Sequence, residues 1–268
     1  MGSFLNVVIY RLPVMMEKSW RRECQEFLGL DKAEEETGPA FNLVVPRSRC
    51  PHCQHPISAY ENIPVLSYLI LGGKCLQCKA AISLRYPLIE IITALVSVAV
   101  AWRLGPSWQT AWALPLSWCL LCLSAIDIDR RLLPDSITLP LLWLGLFLSL
   151  FDVFTDSRSS IVGAIAGYLS FWLIFHVFKL LTGKEGMGYG DFKLLALFGS
   201  WLGWQSLPII VLLSSLIGAV VGISMILLLK RDRAVPIPFG PFLGLAGWIA
   251  LLWGPEITAY YLGASGIR

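Results

Sequence analysis

The residues able to do chemistry in this sequence fall into two groups, acids beside apolar runs and paired cysteines. Asp127, Asp129 and Asp135 lie in "SAIDIDRRLLPDSITLPLL", and Asp191 lies in "GMGYGDFKLLALFG". Asp127 continues an apolar run and is expected just inside a membrane, where an ionisable group is costly and usually functional. Asp191 opens the next suitable stretch. Two carboxylates at one depth can work as a dyad. One activates water, and the other, kept protonated, polarises a carbonyl. Mutual repulsion and a low dielectric would hold one shared proton near neutral pH. The glycines Gly188 and Gly190 would let an extended substrate approach the backbone closely. Each acid also has a structural reading. Asp135 precedes Ser136 and an apolar helix, as an N-cap does. Asp191 could cap its helix as well. Asp129 could pair with Arg130, Arg131 or lipid headgroups.

The second group is "CPHC" (Cys50, Cys53) and "CLQC" (Cys75, Cys78), with 21 residues between the pairs. Two such knuckles at this separation point to a tetrathiolate zinc site. Four thiolates leave no open coordination position, so the metal's task would be folding. Redox pairs or free thiols are the competing reading, and His52 and His55 could compete as ligands. Cys24, Cys119 and Cys122 read as small apolar residues.

The elements that must position these groups follow from hydropathy. The 268 residues are 56% hydrophobic and 15% charged, with a mean hydropathy of +0.67 and 11 Trp. Such a composition excludes a disordered chain and argues for an integral membrane protein with lipid as its surroundings. A net charge of +3 does not point to nucleic acid. The chain divides into residues 1–12, reading as the end of a first span, a polar region over 13–86, and a multi-span region over 87–268. Seven spans are expected near 87–104, 110–127, 137–153, 160–181, 191–204, 207–229 and 239–254. The 191–204 stretch is short enough to be re-entrant or tilted. No internal repeat stands out. Alternating the spans puts all but four of the 21 Lys and Arg (Arg103, Arg158, Lys179 and Arg268) on one side. The positive-inside rule makes that side the cytoplasm.

With these residues placed, the chain resembles the type IV prepilin peptidase family. "GSFLNVVIYRLP", the paired cysteines, "NIPVLSYL", "RYPLIE", "IDIDRRLLPD", "GMGYGDFK" and "PFGPFLGLAG" carry the resemblance across nearly the whole chain. It implies an all-α polytopic protein of the bacterial inner membrane with a small cytoplasmic zinc-knuckle domain. The implied activity is that of a G-x-G-D aspartic protease, its site facing the cytoplasm. Such an enzyme cuts the leader from type IV prepilins and pseudopilins in pilus and type II secretion systems. It then N-methylates the new terminus with S-adenosylmethionine. The implied catalytic pair is Asp127 and Asp191. The family's methylation determinants fall near Gly73, with Lys74 beside it, although "LGGKC" also reads as a plain knuckle turn. Relatives carry a full helix ahead of "GSFLNVVIYRLP", so eight spans are expected. The competing function is a transporter that uses intramembrane carboxylates. It would usually show repeated halves or interrupted spans.

Overall fold

The computed structural model describes residues 1–29, 41–58, 60–229 and 237–265, which form two compact units, Met1–Ala99 and Val100–Arg268. Helix is the regular structure of the described residues, with no strand beyond two isolated bridges.

In the first unit α1 runs over Gly2–Phe27 without a break at Pro13. The apolar start therefore continues as helix into the charged stretch, which is rich in Met, Glu, Lys and Arg, all good helix formers. Short α2 (Leu66–Ile70) follows the first knuckle, and α3 (Arg85–Leu104) follows the second. The start of α1 is bound to α3. Asn6 Nδ2 donates to the Tyr86 carbonyl at 3.2 Å, and Ser3 Oγ donates to Glu90. A Cβ on Gly2 would stand 2.8 Å from the Cα of Glu90. Buried Arg11 donates to the carbonyls of Asn42 at 2.9 Å and Pro46 at 2.7 Å, so its charge is spent on holding the next segment.

The second unit contains α4 (Trp108–Arg130), α5 (Asp135–Ser149), α6 (Ser157–Thr182), α7 (Tyr189–Leu202), α8 (Leu207–Leu229) and α9 (Gly240–Ser265). Helices α3 to α9 occupy the seven apolar stretches named above. Five of them (α3, α4, α6, α8 and α9) are long and apolar enough to cross a membrane. Helix α5, with 15 residues, and α7, with 14, are shorter.

The short α7 is the centre of this unit, packed by α6, α5 and α9. Ten of its residues are buried, from Asp191 and Phe192 to Trp201. Small residues on the surrounding helices let it in. Added Cβ atoms on Gly163 and Gly167 of α6 would stand 2.3 and 2.7 Å from the α7 carbonyl oxygens of Gly199 and Leu195. One on Gly145 of α5 would meet Ser200 and Trp201, and one on Gly247 of α9 would meet the Phe198 ring. Ser160 Oγ donates to the Ser200 carbonyl at 2.6 Å, and Trp201 Nε1 donates to the Leu141 carbonyl at 2.8 Å. Small residues at such seams are what lets helix backbones approach closely within a membrane.

Candidate functional site

Asp127 lies in the last turn of α4. The helix closes at Arg131, in the left-handed conformation with φ 54°, whose N–H bonds back to the Asp127 carbonyl. Leu132, Leu133 and Pro134 then lead into α5. Asp191 lies in the first turn of α7, after Gly188 at the N-cap. The fold brings these two turns together. Both side chains are buried, at 5% and 7% exposure, and their carboxylates interact electrostatically. Leu133 is wedged alongside. A Cβ on Gly190 would stand 2.9 Å from the Leu133 Cβ, and one on Gly240 would stand 3.1 Å from its Cδ2. Gly190 is thus small to admit Leu133. A Cβ on Gly188 would make only ordinary contacts, with Asp191 Oδ2 and the Gly190 nitrogen both at 3.9 Å.

The other acids go elsewhere. Asp135 is not an N-cap: Pro134 takes that position, and the Asp135 carboxylate accepts two hydrogen bonds from Lys193 Nζ. Asp129 is exposed, two residues beyond the buried Ile126–Asp127 step. The residue missed by sequence reasoning is Gly240, whose N–H donates to Asp127 Oδ2 at 3.0 Å. The "PFGP" run around it marks a helix start, but it does not reveal which carboxylate that start meets.

The four cysteines converge. Their sulfurs lie within 4.8 Å of one another, with Cys50 and Cys78 at 3.8 Å and Cys53 and Cys75 at 3.9 Å. A tetrahedron with Zn–S bonds of about 2.3 Å has edges of about 3.8 Å, so the arrangement fits zinc. All four are free thiols, far beyond the disulfide bond length of about 2.05 Å. Each pair sits in the same turn. In the first knuckle the Cys50 N–H bonds to the His55 carbonyl, the Gln54 N–H to the Cys50 carbonyl, and the Ile57 N–H to the Ser48 carbonyl. In the second, Cys75 bonds to Ala80, Lys79 to Cys75, and Ile82 to Gly73. Gln54 and Lys79 share positive φ, at 58° and 60°, and the bridges Arg49–Pro56 and Lys74–Ala81 match as well. The two knuckles are thus one motif repeated at an offset of 25 residues.

Backbone N–H groups of Cys53 and His52 hold the Cys50 thiol down at about 7, and those of Cys78 and Gln77 lower Cys75. Cys53 stands at about 11. The His55 N–H lowers it, but burial and the thiols of Cys78, Cys50 and Cys75 outweigh that donor. Four clustered thiols cannot all ionise by themselves, and a divalent cation supplies the missing positive charge. His55 is not among the converging groups. Its Nε2 faces Glu61 Oε1 at 3.3 Å.

Gly73 lies at the foot of the second knuckle with φ 68°. A Cβ there would stand 2.7 Å from the Tyr68 hydroxyl. The space on that side is therefore filled by this chain's own Tyr68 ring. Lys74 is exposed and pairs through its backbone with Ala81.

Comparison with known proteins adds the following. A model of the bacterial peptidase A24 N-terminal domain matches residues 1–104, and the type IV leader peptidase family model matches residues 114–223. A prepilin leader peptidase/N-methyltransferase of Aeromonas hydrophila is 59% identical over 261 residues, covering 97% of this chain and 90% of its own. A protein of the same name from Pseudomonas aeruginosa is 55% identical over 267 residues, covering 100% and 91%. One from Legionella pneumophila is 44% identical over 262 residues, covering 98% and 91%. No solved structure matches. Identity of this extent, spanning both the cysteine knuckles and the turns that carry Asp127 and Asp191, means that the chain belongs to the type IV leader peptidase family.

Proposed function

We propose that this protein cleaves the leader from type IV prepilins and pseudopilins and N-methylates the terminus it exposes. Its place would be the bacterial inner membrane, with the site facing the cytoplasm. The observation that carries the protease half is the meeting of two buried carboxylates, Asp127 and Asp191, at the paired ends of α4 and α7. Such a pair has one low-cost state, with a single proton between two oxygens. The ionised member takes a proton from water as the water oxygen attacks the scissile carbonyl carbon. The protonated member donates to the carbonyl oxygen. Collapse of the tetrahedral intermediate breaks the C–N bond; the proton gained from water goes to the leaving amine, and the second carboxylate takes back a proton from a hydroxyl of the intermediate. The packed α7 fixes Asp191 for this task.

The methyltransferase half rests on the names of the relatives. S-adenosylmethionine, as methyl donor, would supply an electrophilic methyl group to the new amine. Zinc at Cys50, Cys53, Cys75 and Cys78 would staple the knuckle region. The basic residues on one side of the spans support the cytoplasmic orientation. Lipid surrounds the spans.

Mass spectrometry of a prepilin co-expressed with the enzyme tests both activities together. The wild type is expected to yield leader-free, N-methylated product. Asp127→Asn and Asp191→Asn are each expected to leave the prepilin uncut, whereas Asp129→Asn keeps substantial activity. An active Asp127→Asn beside a dead Asp129→Asn would move the pair by two residues along α4. A wild type that leaves prepilin intact would support the transporter reading.

A further inference from the structure

We propose that Gly240 is a positioning residue for Asp127, and that it makes Asp127 the member of the pair that takes the proton from water. The inference rests on the dyad proposed above.

The start of α9 explains why this backbone group is available. The N–H groups of Phe242 and Leu243 both bond to the Phe239 carbonyl, at 3.1 Å, so Phe239 caps the helix and Gly240 is its first residue. N–H groups in a first turn lack a carbonyl four residues back. Pro241 has no N–H to offer. The remaining donor, on Gly240, is committed to Asp127 Oδ2 at 3.0 Å.

The residue type follows from space rather than from backbone strain. Gly240 does not have positive φ. A Cβ there would stand 2.6 Å from Asp127 Oδ2 and 3.1 Å from Leu133 Cδ2. Any larger residue must push the carboxylate off the N–H. A backbone donor on one oxygen favours the ionised carboxylate. It also leaves Oδ1 as the oxygen that accepts from water. The charged groups around Asp127 are Asp191 from α7 and Arg131 just past α4. Asp129 and Arg130 follow on its own helix, and Asp135 is occupied by Lys193.

The test is leader cleavage by the full protein in detergent, measured against pH. In Gly240→Ala, kcat is expected to fall about 10- to 100-fold, the worth of a hydrogen bond to a charged group. KM should change little, and the acid limb of the kcat/KM profile should move to higher pH. Gly244→Ala is the control. It adds a Cβ to the same helix, against Ser124 Oγ of α4 at 3.1 Å, and should move neither kcat nor the limb. Replacing Gly240 with glycolic acid exchanges only its N–H for an ester oxygen. It should reproduce the limb shift, and it decides the matter where Gly240→Ala does not fold. A misfolded fraction lowers kcat but leaves the limb in place, so a kcat loss with an unmoved limb overturns the inference. So does a glycolate enzyme with wild-type behaviour. If Asp127→Asn still cleaves, the dyad itself fails, which is a separate result.

Discussion

Lys193 Nζ reaches both carboxylate oxygens of Asp135, at 2.8 and 2.7 Å, and so joins the first turn of α5 to the second turn of α7. The bridge stands two residues past Asp191 on the same helix. Its side chains are 29% and 51% exposed, which puts it among ion pairs worth about 0.2–1 kcal/mol. Asp135→Asn and Lys193→Met should each therefore lower stability only slightly and retain substantial leader cleavage. A double-mutant cycle on thermal unfolding measures the coupling. A coupling far above 1 kcal/mol, or an inactive Asp135→Asn, would place the pair in the catalytic machinery.

Helix α7 makes a sharper demand on its neighbours. Gly163 and Gly199 are in mutual backbone contact: a Cβ on either would come within 2.3 Å of the other's carbonyl oxygen. Gly163→Ala should cost about 1–3 kcal/mol, as overpacking does. It should also reduce cleavage by displacing the helix that carries Asp191. Gly254→Ala, where an added Cβ meets nothing within 4 Å, should be neutral or stabilising by up to about 1 kcal/mol. Melting temperatures of the two variants in one detergent check this.

Much of this architecture was legible in hydropathy, because lipid-facing helices must be apolar along their length. The place of α7 was not. Its apolar residues face other helices rather than lipid, and hydropathy does not separate the two. Asp135 was misread because a cap and a salt bridge use the same residue type at the same helix end, and the lysine that decides is 58 residues away. Gly240 was hidden for a related reason, since its partner is an acid 113 residues earlier. The knuckle repeat went unnoticed because the two copies share few identities beyond their cysteines and Ile57 and Ile82. What repeats is the hydrogen-bond pattern of the turn.

The cysteine geometry leads to a metal prediction. Purified protein should hold about one equivalent of zinc, as one tetrathiolate site requires. Cys50→Ser combined with Cys75→Ser removes one ligand from each knuckle and should abolish it. Metal analysis alongside thiol titration decides. A full set of reactive thiols in the wild type would contradict the site.

Glu61 gives the first knuckle's flank a pH dependence. Its Oε2 accepts from the Ser58 N–H at 2.8 Å and from the Ser58 hydroxyl at 2.7 Å. The N–H, then the hydroxyl, and more weakly His55 hold its carboxyl below the usual range. A carboxylate lowered in the folded state adds stability above its unfolded value, about 4.3. That stability is lost as pH falls through the lowered value. The protection factor of the Ser58 amide should drop across that window in the wild type. Glu61→Gln should start lower and stay flat. An unchanged wild-type profile would show that the loop is held by other contacts.

A substitution at Gly73 is expected to separate the two activities. The glycine's φ of 68° is one that residues with a Cβ rarely adopt, and its Cβ position is blocked by the Tyr68 hydroxyl at 2.7 Å. Its carbonyl also accepts from the Ile82 N–H at 2.7 Å, one of the bonds that close the second knuckle. Gly73→Ser should therefore disturb the knuckle region while sparing the turns that carry Asp127 and Asp191. The expected protein cuts prepilin and leaves the new terminus unmethylated. Zinc content then tells which role Gly73 has. Full zinc with lost methylation assigns the glycine to the methyl donor's surroundings. Reduced zinc assigns it to the turn. In that case Tyr68→Ala, added to Gly73→Ser, should restore part of the metal by removing the clash, although the φ strain remains. Cleavage and methylation failing together would mean that the knuckle region also holds the protease fold, and circular dichroism of the variant would show that loss directly.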